Sequence, residues 1–416
     1  MRVEFDVHIG GSAHPVRLIE IGHTLLVDQP TAYDRAGVYG DPGTPEGYAD
    51  NLFRFVVLQE AVRIAVRDGY APADIVHCHD SHTGLIPVFL EDDGGPPSVF
   101  TIHNLAYQGI YGADDFWLTG LHTDRFYGHS AFEYFGDLSL MKAGLLHADV
   151  VTTVSPSYAE EIVHPEQGHG LDGVLRLDTV ELRGILNGID DAVWNPASDD
   201  LLPAKYSAAR PGNKAKCKRA LQERAGISAS DAPLIGMVSR VTHQKGLDLV
   251  GAILPHIVRA GAQVVLLGTG DPNILDLFRG AQGRWPDMVS LLEGYDEALS
   301  HLVYAGSDIF CMPSRFEPCG LSQMYAMRYG AVPVATAMGG LKDTVVPFDE
   351  TRTDGTGVLA DWATSESFAG ALDWALTLYE KPRLFKKMRR NGMERDFSWA
   401  RSAEDYVRLY EELLSG

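Results

Sequence analysis

A chain of 416 residues is long enough for two domains of ordinary size, and 45% hydrophobic with 22% charged residues is the balance of a soluble globular protein. Its 35 Lys and Arg against 56 Asp and Glu give a net charge of −21, and no stretch concentrates enough basic residues to offset this, which disfavours a nucleic-acid partner. The four cysteines lack zinc-like spacing, the amino terminus lacks the apolar core of a signal peptide, and nowhere do about eighteen apolar residues run together, so a reduced, cytoplasmic protein with no membrane partner is expected.

The chain opens with strict alternation over Val3 to Ile9, the pattern of a half-buried strand, followed by Gly10-Gly11 and further strand-like residues to Val27. This predicts antiparallel hairpins. After the turn-rich Asp41-Pro42-Gly43-Thr44-Pro45, the apolar residues Leu52, Phe55, Val56, Val62 and Val66 recur at helical spacing until Gly69.

Short apolar runs separated by helical stretches then take over. They begin at Asp74, Ser98, Asp149 and Leu182, and continue at Leu234, Gln263, Val289, Asp308 and Val332. Near-continuous apolar strands alternating with helices imply parallel sheets covered on both faces, hence an α/β protein. A break near Asn187-Gly188, followed by a polar segment to Lys218, predicts a domain boundary, with residues 1–186 before it and 187–396 after it.

In open α/β sheets ligands bind beyond the carboxyl ends of the strands. The residues there are unusually polar: His79-Asp80-Ser81-His82, His103-Asn104, Asn187-Gly188, Arg240 to Lys245, Glu293-Gly294-Tyr295, and Ser314 to Leu321. So many such loops in both ladders predict a ligand cleft between the two domains. Arg240 and Lys245, five residues apart across a turn, can converge on one diphosphate, although two surface charges at a strand end would look the same. Ser314-Arg315-Phe316-Glu317-Pro318-Cys319-Gly320-Leu321 joins a strand to a helix start, where unpaired backbone N–H groups suit an anion. Glu317 beside such a site points to sugar hydroxyls, or else to a helix cap. Strand alternation puts His77 and His79 on one face, but no third ligand is placed by the spacing, so a metal site is not expected. Cys319 reads either as an activated thiol at a helix start or as a packing and binding thiol, and Tyr295 either as a stacking platform or as a core residue.

Together these stretches resemble the glycogen and starch synthases of the bacterial, ADP-glucose-using type. The resembling segments are Val76 to Leu85, Thr101 to Gly109, Leu186 to Asp190, Ser239 to Asp248, Pro313 to Leu321, Gly339 to Val345 and Asp396 to Trp399. The resemblance implies a GT-B architecture, two Rossmann-like domains, the first completed by a carboxyl-terminal helix over 397–416. It implies a retaining glucosyltransferase that adds glucose from ADP-glucose to the non-reducing end of an α-1,4-glucan, with no cofactor and no metal. On the matching positions, Arg240 and Lys245 would hold the donor diphosphate and Glu317 the glucosyl hydroxyls, with Cys319, Gly320 and Leu321 beside it. His103 and Asn104 would reach the donor sugar, Asp80 and His82 would line the acceptor side, Asn187 would join the substrate-binding set, and Tyr295 would stack on adenine. Oligomeric state is left open.

One departure stands out. The family opens with a strand and a Lys-x-Gly-Gly-Leu loop at a helix start, whose lysine reaches the diphosphate. Here Gly10-Gly11 lies between two strand-like runs with no lysine ahead of it. The first strand, the loop and the first helix, on the order of 60 residues, are read as missing. This predicts an exposed apolar sheet edge, a lost cation and diminished activity, the alternative being a non-catalytic glucan- or nucleotide-sugar-binding remnant.

Overall fold

The computed structural model describes residues 2–42, 47–127 and 130–415, so Gly43, Thr44 and Pro45 of the turn-rich stretch lie outside the described residues. The chain divides into two compact units: residues 1–154, 159–184 and 408–416, and residues 155–158 with 185–407.

The first unit begins with a three-stranded antiparallel sheet of Arg2–Ile9, Ser12–Ile21 and Thr24–Asp28. Ile9 pairs with Ser12 across Gly10-Gly11, and both glycines have positive φ (+58° and +76°), as a two-residue hairpin turn compatible with sheet twist requires. Val7, Ile9 and Val16 form the apolar face of this sheet and share one core with Leu52, Val56 and Ala61 of the helix Asn51–Arg67. Of the predicted stripe only Leu52 and Val56 are buried, Phe55, Val62 and Val66 being half-buried, because the buried face runs on through Val57, Ala61, Ile64 and Ala65; Gly69 beyond the helix end takes φ +76°.

The parallel sheet of this unit has the order Leu182–Gly184, Val150–Thr153, Ser98–Ile102, Val76–His79. Ser98–Ile102 is buried along its whole length, which is why it reads as an unbroken apolar run. The edge strand Val76–His79 has four residues, and two of its side chains are imidazoles, so this edge is short and partly polar where an apolar one was expected. A small antiparallel sheet of Ile110–Tyr111, Asp137–Ser139 and Glu133–Tyr134 completes the unit.

The second unit is built on a six-stranded parallel sheet. Its order is Val289–Glu293, Gln263–Gly270, Leu234–Val241, Ile309–Met312, Val332–Thr336, Val358–Ala360. The order in which strands are added reverses between Leu234–Val241 and Ile309–Met312, which lie parallel side by side, the kind of switch point at which open α/β sheets bind ligands. Helices packed on one face of this sheet bury Ile235, Val264, Leu266, Phe278, Ile309 and Phe368 in one core. Each such side chain contributes about 1.5–3 kcal/mol relative to exposure, so the loops at the sheet edge are carried on a rigid base.

Candidate functional site

In the second unit, the strand Leu234–Val241 carries Arg240 as its last residue but one and runs into a single tight turn, His243–Lys245, before the helix Leu247–Arg259. Gly246 closes that turn at φ +65°, and a Cβ there would lie 1.9 Å from the Pro313 carbonyl oxygen, so only glycine lets this turn lie against the loop after Met312. Side chains then fasten the two loops. Arg315 donates to both oxygens of Asp248 at 2.8 and 2.6 Å and to the His243 carbonyl at 2.8 Å, while its backbone N–H donates to the Gln244 carbonyl at 2.8 Å. Gln244 Nε2 donates to the Phe316 carbonyl at 3.3 Å.

The result is a fixed cation–carboxylate pair. Lys245 Nζ donates to Glu317 Oε2 at 2.7 Å, and Ser314 Oγ donates to the same oxygen at 3.0 Å. Glu317 is 4% exposed. Among the described residues its Oε1 has no protein hydrogen bond, which leaves one carboxylate oxygen committed and one open. A cavity of about 20 Å³ bordered by Ser239, Lys245, Ser314 and Ser322 has room for one water behind the pair. Arg240 is exposed at the strand end, and among the described residues no carboxylate pairs with its guanidinium.

The turn after Glu317 aims backbone donors outward. Gly320 takes φ +70°, and Gln323 Nε2 donates to the carbonyls of Cys319 and Gly320 at 3.1 and 2.8 Å, turning those acceptors inward. Among the described residues the N–H groups of Gly320 and Leu321 have no acceptor. The helix that follows, Ser322–Arg328, has seven residues, so its dipole is small and the nearby cations dominate the local field. Cys319 is buried against the Asn187 backbone, and burial pushes its thiol up to about 12, opposed by the hydrogen bond from Asn187. It is a packing thiol there and no activated nucleophile. Tyr295 is 85% exposed, which excludes the core reading and leaves a ring face free to stack.

The first unit brings a different set together. Asp80 sits at φ +57°, a strained region for a residue with a Cβ, and its Oδ1 accepts from the backbone N–H of His103 at 2.8 Å and of Asn104 at 3.5 Å. Burial raises the Asp80 carboxyl, and those two N–H donors oppose the rise. His103 Nε2 lies 3.1 Å from His79 Nδ1, one donating and one accepting, and the His77 and His79 rings are 4.4 Å apart on the shared strand face. His77 is held by Tyr410 at 2.7 Å and Thr101 at 2.6 Å. His82 places its ring edge 4.6 Å from Phe55 and near Tyr39. Burial lowers the pKa of His77 to about 4 and lowers those of His79, His82 and His103, so these imidazoles are neutral near pH 7. Asn104 Oδ1 accepts from the Ala106 N–H and shapes its own loop.

In the sequence Ser314, Arg315 and Asp248 stand out only as members of their stretches, and Gln323 not at all, because each acts by fixing a neighbour. The same holds for Ser155, whose Oγ donates to the Pro318 carbonyl, and Ser157, which binds Asp343 through Oγ at 2.7 Å and its N–H at 2.9 Å. Among the described residues no group of three or more His, Cys, Asp or Glu is placed to hold a metal ion, and no helix is long and apolar enough to cross a membrane.

Comparison with known proteins gives this geometry a family. Residues 4–177 match the starch synthase catalytic domain, and residues 219–393 match the group 1 glycosyl transferases. The glycogen synthase of Marinobacter nauticus is 43% identical over 421 residues, spanning 99% of this chain and 85% of the relative. That of Myxococcus xanthus is 45% identical over 389 residues, spanning 92% and 80%. The catalytic domain of starch synthase IV from Arabidopsis thaliana, solved with ADP and acarbose, superposes with a TM-score of 0.89 at 32% identity over 100% of this chain and 88% of that one. The chain belongs to the glycogen and starch synthase family of GT-B glycosyltransferases.

Proposed function

We propose that this chain transfers glucose from ADP-glucose to the non-reducing end of an α-1,4-glucan with retention of configuration, and that Lys245 and Glu317 are the centre of its donor site. The observation that carries the assignment is the 2.7 Å pair of Lys245 Nζ and Glu317 Oε2, set beside Arg240 and the free N–H groups of Gly320 and Leu321.

Breaking the bond between the glucosyl C1 and its phosphate leaves negative charge on the departing diphosphate. Lys245, Arg240 and the backbone donors of Gly320 and Leu321 would meet that charge with dipoles and cations already in place. Glu317 would accept from glucosyl hydroxyls through Oε1 while Oε2 stays bound to Lys245 and Ser314. The lysine thereby shields the carboxylate from the diphosphate, which is how a carboxylate is tolerated so near phosphates. As the C1–phosphate bond breaks, the acceptor hydroxyl oxygen bonds to C1 on the same face, and its proton passes to the leaving phosphate oxygen. No nucleophile–base pair is needed, in keeping with a protonated Cys319.

His103 and Asn104, both neutral, would hydrogen-bond the uncharged donor sugar. Asp80 would act through them by holding their backbone, His82 would line the acceptor side, Asn187 would complete the sugar pocket, and Tyr295 would stack on adenine. The reaction would run in the cytoplasm, on ADP-glucose and glycogen.

The test is initial-rate incorporation of glucose from ADP-glucose into glycogen. Lys245→Ala and Glu317→Ala should each lower kcat/KM by about a thousandfold or more. Unchanged turnover in both variants would overturn the assignment.

A further inference from the structure

The second unit carries a crevice of about 980 Å³ at the opposite edge of its sheet from the donor loops. It opens beside Asp308, which precedes the strand Ile309–Met312, and runs between the helices Lys214–Ala225 and Pro382–Met393. Nothing in the donor chemistry uses it.

Its charge is out of keeping with the rest of the chain. Lys214, Lys218, Lys386, Arg389 and Arg390 line it, in a protein whose net charge is −21. Two of these cations share one carboxylate: Lys218 Nζ and Arg389 bind the two oxygens of Asp308 at 2.7 and 2.9 Å. The second lining carboxylate, Asp231, pairs with Arg219 at 2.7 Å. Lys386 is exposed and has no charged partner among the described residues, and Arg390 has only the exposed Glu394 one turn away at 2.7 Å. Among the described residues the buried Arg389 Nε has no hydrogen-bond partner.

Lys214 shows the effect of the crowding. The residue is 4% exposed, and its amine donates to the carbonyls of Ala305 and Tyr329 at 2.8 and 2.9 Å. Its pKa is held well below the usual lysine range, first by burial and then by the charge of Arg389. Uncompensated like charges in a partly desolvated crevice repel one another, and a bound anion reverses that energy. Ala208, Ala209 and Met393 supply an apolar wall beside the cations, so the fitting ligand has an anionic head and a less polar body.

We propose that this crevice is a binding site for a small phosphorylated molecule, its phosphate held by Lys386 and Arg390 near the Lys218–Asp308–Arg389 cluster. The site is connected to the donor loops through one element. Tyr329, which closes the helix Ser322–Arg328, accepts from Lys214 through its carbonyl, and the other end of that helix follows Gly320. An occupant of the crevice therefore lies beside Lys214, whose amine is bound to the far end of the helix that follows the donor loop. The binding claim stands independently of the assignment of the donor site.

The experiment is calorimetric titration of inorganic phosphate into the full chain, into K386E/R390E and into Lys245→Ala. One saturable site is expected that survives Lys245→Ala and weakens about tenfold or more in K386E/R390E, the loss of at least one charge-assisted contact. Both replaced side chains are exposed, so the unliganded unfolding midpoint should be unchanged. Should K386E/R390E fail to fold, Lys386→Gln alone should weaken phosphate by about threefold or more. Absence of binding, loss of binding with Lys245→Ala, or equal affinity in the Lys386 and Arg390 variants would overturn the proposal, the last two outcomes marking the donor loops or an adventitious ion only.

Discussion

In the second unit the loops beyond the parallel sheet carry opposite charges locked together, Lys245 on Glu317 and Arg315 on Asp248. In the first unit the corresponding loops carry imidazoles, and burial holds His77, His79, His82 and His103 toward the neutral form. The contrast follows from what each set would meet. A diphosphate that gains charge as its bond breaks needs cations, whereas sugar hydroxyls need neutral donors and acceptors at fixed positions. On the proposed roles, one architecture would separate charge stabilisation from hydroxyl recognition by placing them on different sheets.

The sharpest break of that contrast is a double-mutant cycle on the locked pair. Removing one partner of a buried ion pair strands the other, at a cost of about 3–5 kcal/mol. Lys245→Ala and Glu317→Ala should therefore be strongly non-additive, the double variant losing about as much kcat/KM as the worse single variant. Additive losses would mean that the two residues act on separate parts of the substrate and that their contact is incidental.

Asp80 tests the first unit with the next largest effect. Its carboxylate holds the loop bearing His103 from a strained φ of +57°. Asp80→Ala should lower kcat/KM by about ten- to a hundredfold, while Asp80→Asn, which keeps an acceptor oxygen, should retain most of it. If the two variants were equally impaired, the charge of Asp80, and not its grip on the backbone, would be the working feature.

The neutral imidazoles predict a pH dependence of stability. The folded-state pKa of His77 lies near 4, below its ordinary 6.5. Its contribution is therefore fully present above 6.5 and is lost as pH falls toward 4, because the unfolded chain takes up the proton first. The full loss is up to about 3 kcal/mol, less what residual solvent contact screens. Urea unfolding at about pH 7 and about pH 5 should show a smaller drop in His77→Gln than in the parent chain, since the amide does not titrate. Equal drops would show that His77 titrates normally in the folded protein.

Much of this was legible in the chain itself, and the exceptions have a common cause. Each of the nine apolar runs from Asp74 to Ala335 became a strand of one of the two parallel sheets, because a strand buried on both faces writes its burial directly into consecutive residues. The strand Val358–Ala360 and the small sheet around Glu133–Tyr134 went unseen, being two or three residues long and too short to carry a period. Arg240, Lys245 and Glu317 stood out because polar residues after an apolar run are conspicuous. Their supports did not: Asp248 reaches Arg315 across 67 residues, and Thr336 reaches the Ser314 carbonyl across 22. Such pairings exist only once the sheet has brought distant loops to one edge.

Ser314 isolates the smallest part of the contrast, the aim of the carboxylate apart from its charge. It is 1% exposed, its Oγ donates to Glu317 Oε2 at 3.0 Å, and its carbonyl accepts from Thr336 Oγ1, so its position is fixed from both sides. Ser314→Ala removes one hydrogen bond to a charged group while leaving the Lys245 pair in place, a loss of about 1 kcal/mol and roughly fivefold in kcat/KM. If the hydroxyl serves to point Oε1 at the glucosyl group, the loss falls on kcat, because donor affinity rests on the diphosphate cations. A rise in KM for ADP-glucose at constant kcat would instead place Ser314 in support of Lys245, and the carboxylate would then be oriented by the lysine alone.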